Sequence, residues 1–280
     1  MDQSKYLENK LIKYGLDQCK HRSTPCEVVD YNENRENSEW KVDNKAYREM
    51  VGSLIYAMTC TRPDISYAVS KLSQKLSNPS DGDFVMLKHV FRYILGTLNH
   101  CLTYRKSTNG LRLTGYSDAD WAGDRSDRKS TSGYLFTLTH DGPAISWKSK
   151  KQDSVALSTC EAEYMAACAA AQEAIYLTRV FSDFCKAIPS SNMNSPVINL
   201  ASDVVVNCDN QGAIGLAKNP ISHNKTKHVD IKYHFDRECV LNKHFELVYV
   251  PTAFNVADLM TKPTSKVKLS QFRKLMFGVS

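Results

Sequence analysis

The sequence predicts an α/β protein: a mixed five-stranded sheet flanked by helices, preceded by a smaller, mostly helical segment. Before residue 107 the apolar residues recur at helical spacing. After residue 108 short β-type runs alternate with helical ones. Within that second part stand four acidic residues, Asp118, Glu161, Asp209 and Asp258. Two follow β-type runs and two sit in helix-starting segments, as expected if a small sheet brings four carboxylates to one point.

The first part has an N-terminal helix, a polar segment over residues 30–38, and then three amphipathic stripes. Tyr47, Val51, Leu54, Ile55 and Met58 share one helical face. Ile65, Ala68, Val69, Leu72 and Leu76 share another, after the Arg62-Pro63 break. Phe84, Leu87, Phe91, Ile94 and Leu98 form the third, with Ser80 as its expected N-cap. A helical bundle explains these stripes without any chemistry.

The second part opens with strands over 111–116, 133–139 and 144–148, the first two separated by a polar turn. An Ala-rich helix follows over 160–184, then an apolar strand over 203–208 and a helix from Asn210. A helix over 226–241, a strand over 245–250 and a final helix starting at 255–261 complete the order. At 280 residues, two domains are expected, 1–107 and 108–280.

Composition narrows the class. The net charge of +6 leans towards a polyanionic partner, and its distribution says more. Residues 262–280 hold five basic side chains and no acid, and Lys148, Lys150 and Lys151 form a second cluster. Solvated faces carry such runs too. The nine cysteines have no C-x-x-C spacing and no secretory context, which points to reduced thiols in an intracellular protein. Cys168 and Cys208 read as core packing. No apolar stretch is long enough to span a membrane, so none is expected as a partner.

Four clustered carboxylates repel one another unless cations hold them, and hard oxygen ligands favour Mg²⁺ or Mn²⁺. The chemistry this implies is two-metal hydrolysis of a phosphodiester. Each acid also has a structural reading. Ser158-x-x-Glu161 is a capping box, Asp209 sits where an N-cap would, Asn255-x-x-Asp258 could start a helix, and Asp118 could belong to an Asp-rich turn. Capping accounts for each position but not for all four in this order. An EF-hand over Asp118-Ala119-Asp120 is excluded, because Ala122 and Lys129 stand where oxygen ligands are needed. That leaves Asp120 and Asp124 as turn residues or as neighbours that support the ligands.

The motifs carrying these acids are GYSDADWAGDRSDRKSTSGYLF, ISWKSKKQDSVALSTCEAEYMA, NCDNQGAIGLAKNPISHNKTKHVDIKYHF and VYVPTAFNVADLMTKP. They resemble the ribonuclease H domain of copia-type retrotransposon polyproteins. Upstream, AYREMVGSLIYAMTCTRPDISYAVSKLSQ and LKHVFRYILGTLNHCLTYR resemble the end of the reverse transcriptase and the connection of the same elements. The resemblance covers nearly the whole chain. It implies a ribonuclease H-like sheet and an endonuclease that cleaves the RNA strand of RNA–DNA hybrids with two Mg²⁺ or Mn²⁺.

By the same resemblance, Asp118 bridges both metals, Glu161 and Asp209 complete one metal site, and Asp258 completes the other. Ser117, Ser158, Asn210 and Gln211 flank the acids as candidate substrate contacts. Many ribonucleases H carry a His before the last Asp. None occurs over residues 250–258; His223 or His228 could stand in for it, or each could be an ordinary surface or capping histidine. Cys160 replaces the Thr or Ser common in copia-type sequences. No Tyr-x-Asp-Asp run occurs, so the chain is expected to lack the polymerase site, as a fragment, a truncated element or a host gene derived from one. The alternative function is a catalytically inactive remnant that binds nucleic acid, protein or other parts of the polyprotein.

Overall fold

The structure, a computed structural model, describes residues 1–27, 43–106, 111–139, 142–187, 204–218 and 245–278. The chain divides into two compact units. One joins Met1–Thr103 to Pro263–Ser280, and the other is Tyr104–Lys262.

The first unit is helical: α1 (Ser4–Lys13), α2 (Asn44–Cys60), a 3₁₀ turn (Pro63–Ile65), α3 (Ser66–Ser73) and α4 (Asp81–Leu95). The three expected stripes supply its core, with Tyr47, Val51, Leu54, Ile65, Val69, Leu72, Leu87, Phe91 and Ile94 all buried. Ser80 caps α4 as expected. Its hydroxyl accepts the Asp83 N–H, and the Asp83 carboxylate takes the Ser80 N–H in return. The Arg62-Pro63 break is also a buried anchor. Arg62 Nε and Nη2 reach Asp64 at 2.9 and 2.8 Å, Nη2 donates to Thr97 Oγ1 at 2.6 Å, and Tyr93 OH donates to Asp64 Oδ2 at 2.7 Å.

The C-terminal segment corrects the sequence reading, which placed it with the second part. Residues 263–280 belong to the helical unit. Their helix, residues Lys266–Phe277, buries Leu269, Phe272, Met276 and Phe277. The Phe277 carbonyl accepts the Thr103 N–H at 2.9 Å, and its ring lies 5.2 Å from that of His100. An apolar face needs a partner, and here the partner is helical.

The second unit is a five-stranded mixed sheet in the order β3-β2-β1-β4-β5. The strands are β1 (Thr114–Asp120), β2 (Thr131–Thr137), β3 (Ala144–Lys151), β4 (Val205–Cys208) and β5 (Glu246–Tyr249). β1 pairs antiparallel with β2, which pairs antiparallel with β3, whereas β4 lies parallel to both β1 and β5. This is the mixed five-stranded sheet that the sequence predicted. Each strand falls within a few residues of expectation. β1 runs further than expected and so takes Asp118 inside the strand.

Helix α5 (Thr159–Ala187) lies on the sheet. Its buried residues include Ala162, Ala166, Ala170 and Ala174, four residues apart. Methyl side chains let it approach the strands closely. Helix α6 is Gln211–Lys218. The expected final helix over 255–261 is a single turn, α7 (Asp258–Thr261), and Pro263 follows it, so the helix Lys266–Phe277, α8, starts anew. The helix expected over 226–241 and the polar segment over 30–38 lie outside the described residues.

Among the described residues no helix is long and apolar enough to cross a membrane.

Candidate active site

The sheet order places the site. β1 and β4 are parallel neighbours with Ser117 opposite Cys208, and the chain switches direction of travel between them. In open sheets, such a switch leaves a crevice beyond the carboxyl ends of the strands. Asp118 lies near the end of β1 and Asp209 directly follows β4. Asp258 is the first residue of α7. Carboxylate oxygens of these three lie within 4.8 Å of one another. Asp118 and Asp258 are buried, and Asp209 is partly exposed.

Gly133 makes the third contribution possible. It faces Asp118 across the β1–β2 ladder. A Cβ added there would sit 2.5 Å from Cβ of Met260 and 2.8 Å from Thr261 Cγ2. A side chain at this point would push α7 off the sheet, taking Asp258 with it.

The fourth acid is not the one the sequence singled out. Glu161 sits in the first turn of α5, where its Oε2 accepts the Leu157 N–H at 2.9 Å and its own N–H donates to Ser158 Oγ at 3.1 Å. That is the capping alternative. Two residues on, about 200° round the helix, Glu163 reaches the cluster. An oxygen of Glu163 lies within 4.8 Å of Asp209 Oδ and Cys208 Sγ. The sequence held the clue: a residue engaged in a capping box is committed to the helix end, and Glu-x-Glu offers a second carboxylate on the opposite face.

The electrostatics follow from burial. Asp118 is pushed up to about 7, first by burial and then by the Asp258 and Asp209 carboxylates, against the opposing pull of Lys262 and the Thr261 hydroxyl. Glu163 is pushed up to about 9 by burial, with Asp118 and Asp209 adding. Lys262 supplies a cation the sequence reading did not foresee. Its Nζ lies 2.8 Å from Asp258 Oδ1 and 3.6 Å from Asp118 Oδ2. Burial disfavours its charge, but the two carboxylates outweigh that and hold it protonated. Thr261 Oγ1 donates to Asp118 Oδ2. Asn255 is buried behind them, its Nδ2 donating to the Ser117 carbonyl at 2.9 Å.

The donor set fits a hard divalent cation. Its four acids are largely buried, with Cys208 Sγ the one sulfur beside them, and Glu163 Oε2 is buried with no hydrogen-bond partner among the described residues.

The flanking residues divide. Ser117 is fully buried, which removes it as a substrate contact. Ser158 caps α5. Asn210, not Asp209, caps α6, its Oδ1 accepting the Ala213 N–H at 2.9 Å. Gln211 is exposed at the start of α6. His223 and His228 lie outside the described residues. In the β1–β2 turn, Asp124 and Asp127 bind Lys151 at 2.6 and 2.9 Å, so part of the Lys148–Lys151 cluster is committed to the turn.

No family model matches the chain. Relatives do. The retrovirus-related Pol polyprotein from transposon TNT 1-94 of Nicotiana tabacum is 38% identical over 282 residues, covering 99% of this chain and 20% of that protein. The chain belongs to the copia-type, retrovirus-related Pol polyproteins of transposons. The Pol polyprotein from transposon RE2 of Arabidopsis thaliana is 40% identical over 232 residues, covering 83% of this chain and 15% of that protein. The chain thus spans a fifth or less of these polyproteins. Among solved structures, an RNase H1 from the halophilic archaeon Halobacterium salinarum is 19% identical, with a TM-score of 0.36, covering 54% of this chain and 94% of that one.

Proposed function

We propose that residues 104–262 of this Pol-family chain form a ribonuclease H-type hydrolase that cuts the RNA strand of RNA–DNA hybrids, and that the helical unit is the connection following a polymerase. The observation that supports this most is the convergence of Asp118, Asp209 and Asp258, with Glu163, at the switch point of a mixed sheet. These four residues would hold two Mg²⁺ or Mn²⁺. Cations bound there lower the pKa of a water and stabilise a leaving oxygen. The chain's own part is to pre-position charge. Thr261 and Asn255 fix the Asp118 strand end, and Glu161 fixes the start of α5 so that Glu163 faces inward. Gln211 is the flanking residue best exposed to meet a 2′-hydroxyl.

A second reading is a nucleic-acid-binding or interaction module without turnover. Lys262 favours it, because its ammonium already neutralises part of the cluster. Cleavage of a labelled hybrid with and without Mg²⁺, by the wild type and by Asp118→Asn, separates the two. Mg²⁺-dependent cleavage lost in the variant supports the hydrolase. Hybrid binding with no cleavage at any Mg²⁺ concentration supports the module.

A further inference from the structure

The two sides of the carboxylate cluster are unlike. On the Asp118–Asp258 side, Lys262 and Thr261 already engage the oxygens. On the other side no Lys or Arg forms an ion pair with Glu163 or Asp209 among the described residues, and Lys262 acts on these two acids only from further off. There an oxygen of Glu163, Cys208 Sγ and an oxygen of Asp209 lie within 4.8 Å of one another. Glu163 is only 8% exposed, and its Oε2 is buried without a hydrogen-bond partner among the described residues. Cys208 is fully buried at the end of β4, where it receives a long contact from the Asn210 N–H at 3.5 Å. Asp209 is partly exposed and gives the triad its access to solvent.

We propose that Glu163, Cys208 and Asp209 form a binding site for a thiophilic divalent cation, Zn²⁺ or Cd²⁺. One sulfur and two carboxylate oxygens, completed by water, are a three-ligand set suited to tetrahedral coordination. Mg²⁺ has little use for sulfur, whereas softer ions select it. The site shares Glu163 and Asp209 with the hydrolase proposed above but not its cation or its substrate. A soft ion held here would therefore draw two of the four acids away from a hard-cation arrangement. Binding forms one metal–sulfur and two metal–oxygen bonds, and the thiol proton, together with any proton held by a ligand carboxyl, leaves to solvent. No electron moves.

The test is a Cd²⁺ titration of the full chain, read by the sulfur-to-cadmium charge-transfer absorbance and by calorimetry. The chain has nine cysteines, so the site is assigned by difference. Wild type should show one sulfur-bound ion more than Cys208→Ser. Glu163→Gln, which keeps the side-chain size, should weaken that same event by more than about tenfold, since even losing an outer hydrogen-bond partner costs 10–100-fold in metal affinity. Asp258→Asn should retain it, although under the hydrolase reading it loses Mg²⁺ binding, so the two readings fail separately. Equal Cd²⁺ stoichiometry and affinity in wild type and Cys208→Ser would overturn the site. If Cys208→Ser does not fold, unchanged Cd²⁺ affinity in Glu163→Gln overturns it instead.

Discussion

At the scale of single residues, two neighbouring glutamates do different work. Glu161 ties down the loop before α5, and Gln at that position still offers an oxygen to the Leu157 N–H. Glu161→Gln should therefore keep cleavage near the wild-type rate. Glu163→Gln should abolish cleavage yet leave the fold intact, because it removes a buried acid that has no partner for one oxygen. Rates and melting points of the two variants side by side check this, and the reverse pattern would restore Glu161 to the site. The pH dependence carries its own sign. Asp118 titrates near 7 in the folded chain against an ordinary 3.8. Between those values the native state holds a proton that the unfolded chain has lost, and Glu163, pushed up to about 9, does the same over a wider range, so metal-free stability should fall as pH rises from about 4 to 9. Asp118→Asn should show a shallower fall, with the part due to Glu163 remaining, and thermal melts across the range measure it. Lys262 offsets the same repulsion. Lys262→Gln should cost the metal-free protein about 1–3 kcal/mol, between an exposed pair and a buried one, and Mg²⁺ should recover most of it. Of these residues, Asp118, Asp209 and Asp258 were legible in the sequence by their motifs. Glu163 was hidden by its neighbour, and Lys262 and Thr261 could be found only once α7 was placed on the sheet.

Elements set where those residues stand. The succession of β-type and helical runs was legible, because period-2 and period-3.6 patterns survive in short segments, whereas the order of the strands in the sheet was not. The end of β1 was not, since its polar tail, Ser117 to Asp120, breaks the apolar pattern that marks a strand. Nor was the break between α7 and α8, where Asp258 to Thr261 is one turn held by tertiary contact. Gly133 permits that contact, so Gly133→Ala should destabilise by about 1–3 kcal/mol through overpacking and reduce cleavage by displacing Asp258. Gly52 is the control. It lies exposed within α2 with nothing within 4 Å of an added Cβ, and Gly52→Ala should stabilise by about 0.5–1 kcal/mol. Chemical denaturation of both variants gives the comparison. Loss of stability at Gly52 or none at Gly133 would remove the close-approach argument.

For the whole molecule, the division of the chain is a matter of which apolar surfaces find each other, and sequence order hides it. Residues 263–280 follow the sheet unit in sequence, and their basic residues suggested a tail serving the nucleic-acid site. Their buried face, Leu269, Phe272, Met276 and Phe277, instead completes the helical unit. Each fully buried side chain of this kind contributes about 1.5–3 kcal/mol. Four together approach the 5–15 kcal/mol that typically separates a folded domain from its unfolded chain. A chain ending at Lys262 should therefore lose the helical unit: hydrogen-exchange protection should collapse in α2, α3 and α4. The ladders of β1, β2 and β4 should stay protected, because their partners all lie within Tyr104–Lys262. If Asp118, Glu163, Asp209 and Asp258 hold Mg²⁺ as proposed, Mg²⁺ should raise the melting point of the sheet unit in the shortened chain as in the full one. If exchange instead opens the sheet and spares the helices, then α8 belongs with the strands, as its place in the sequence suggests, and the two-unit division drawn from packing is wrong.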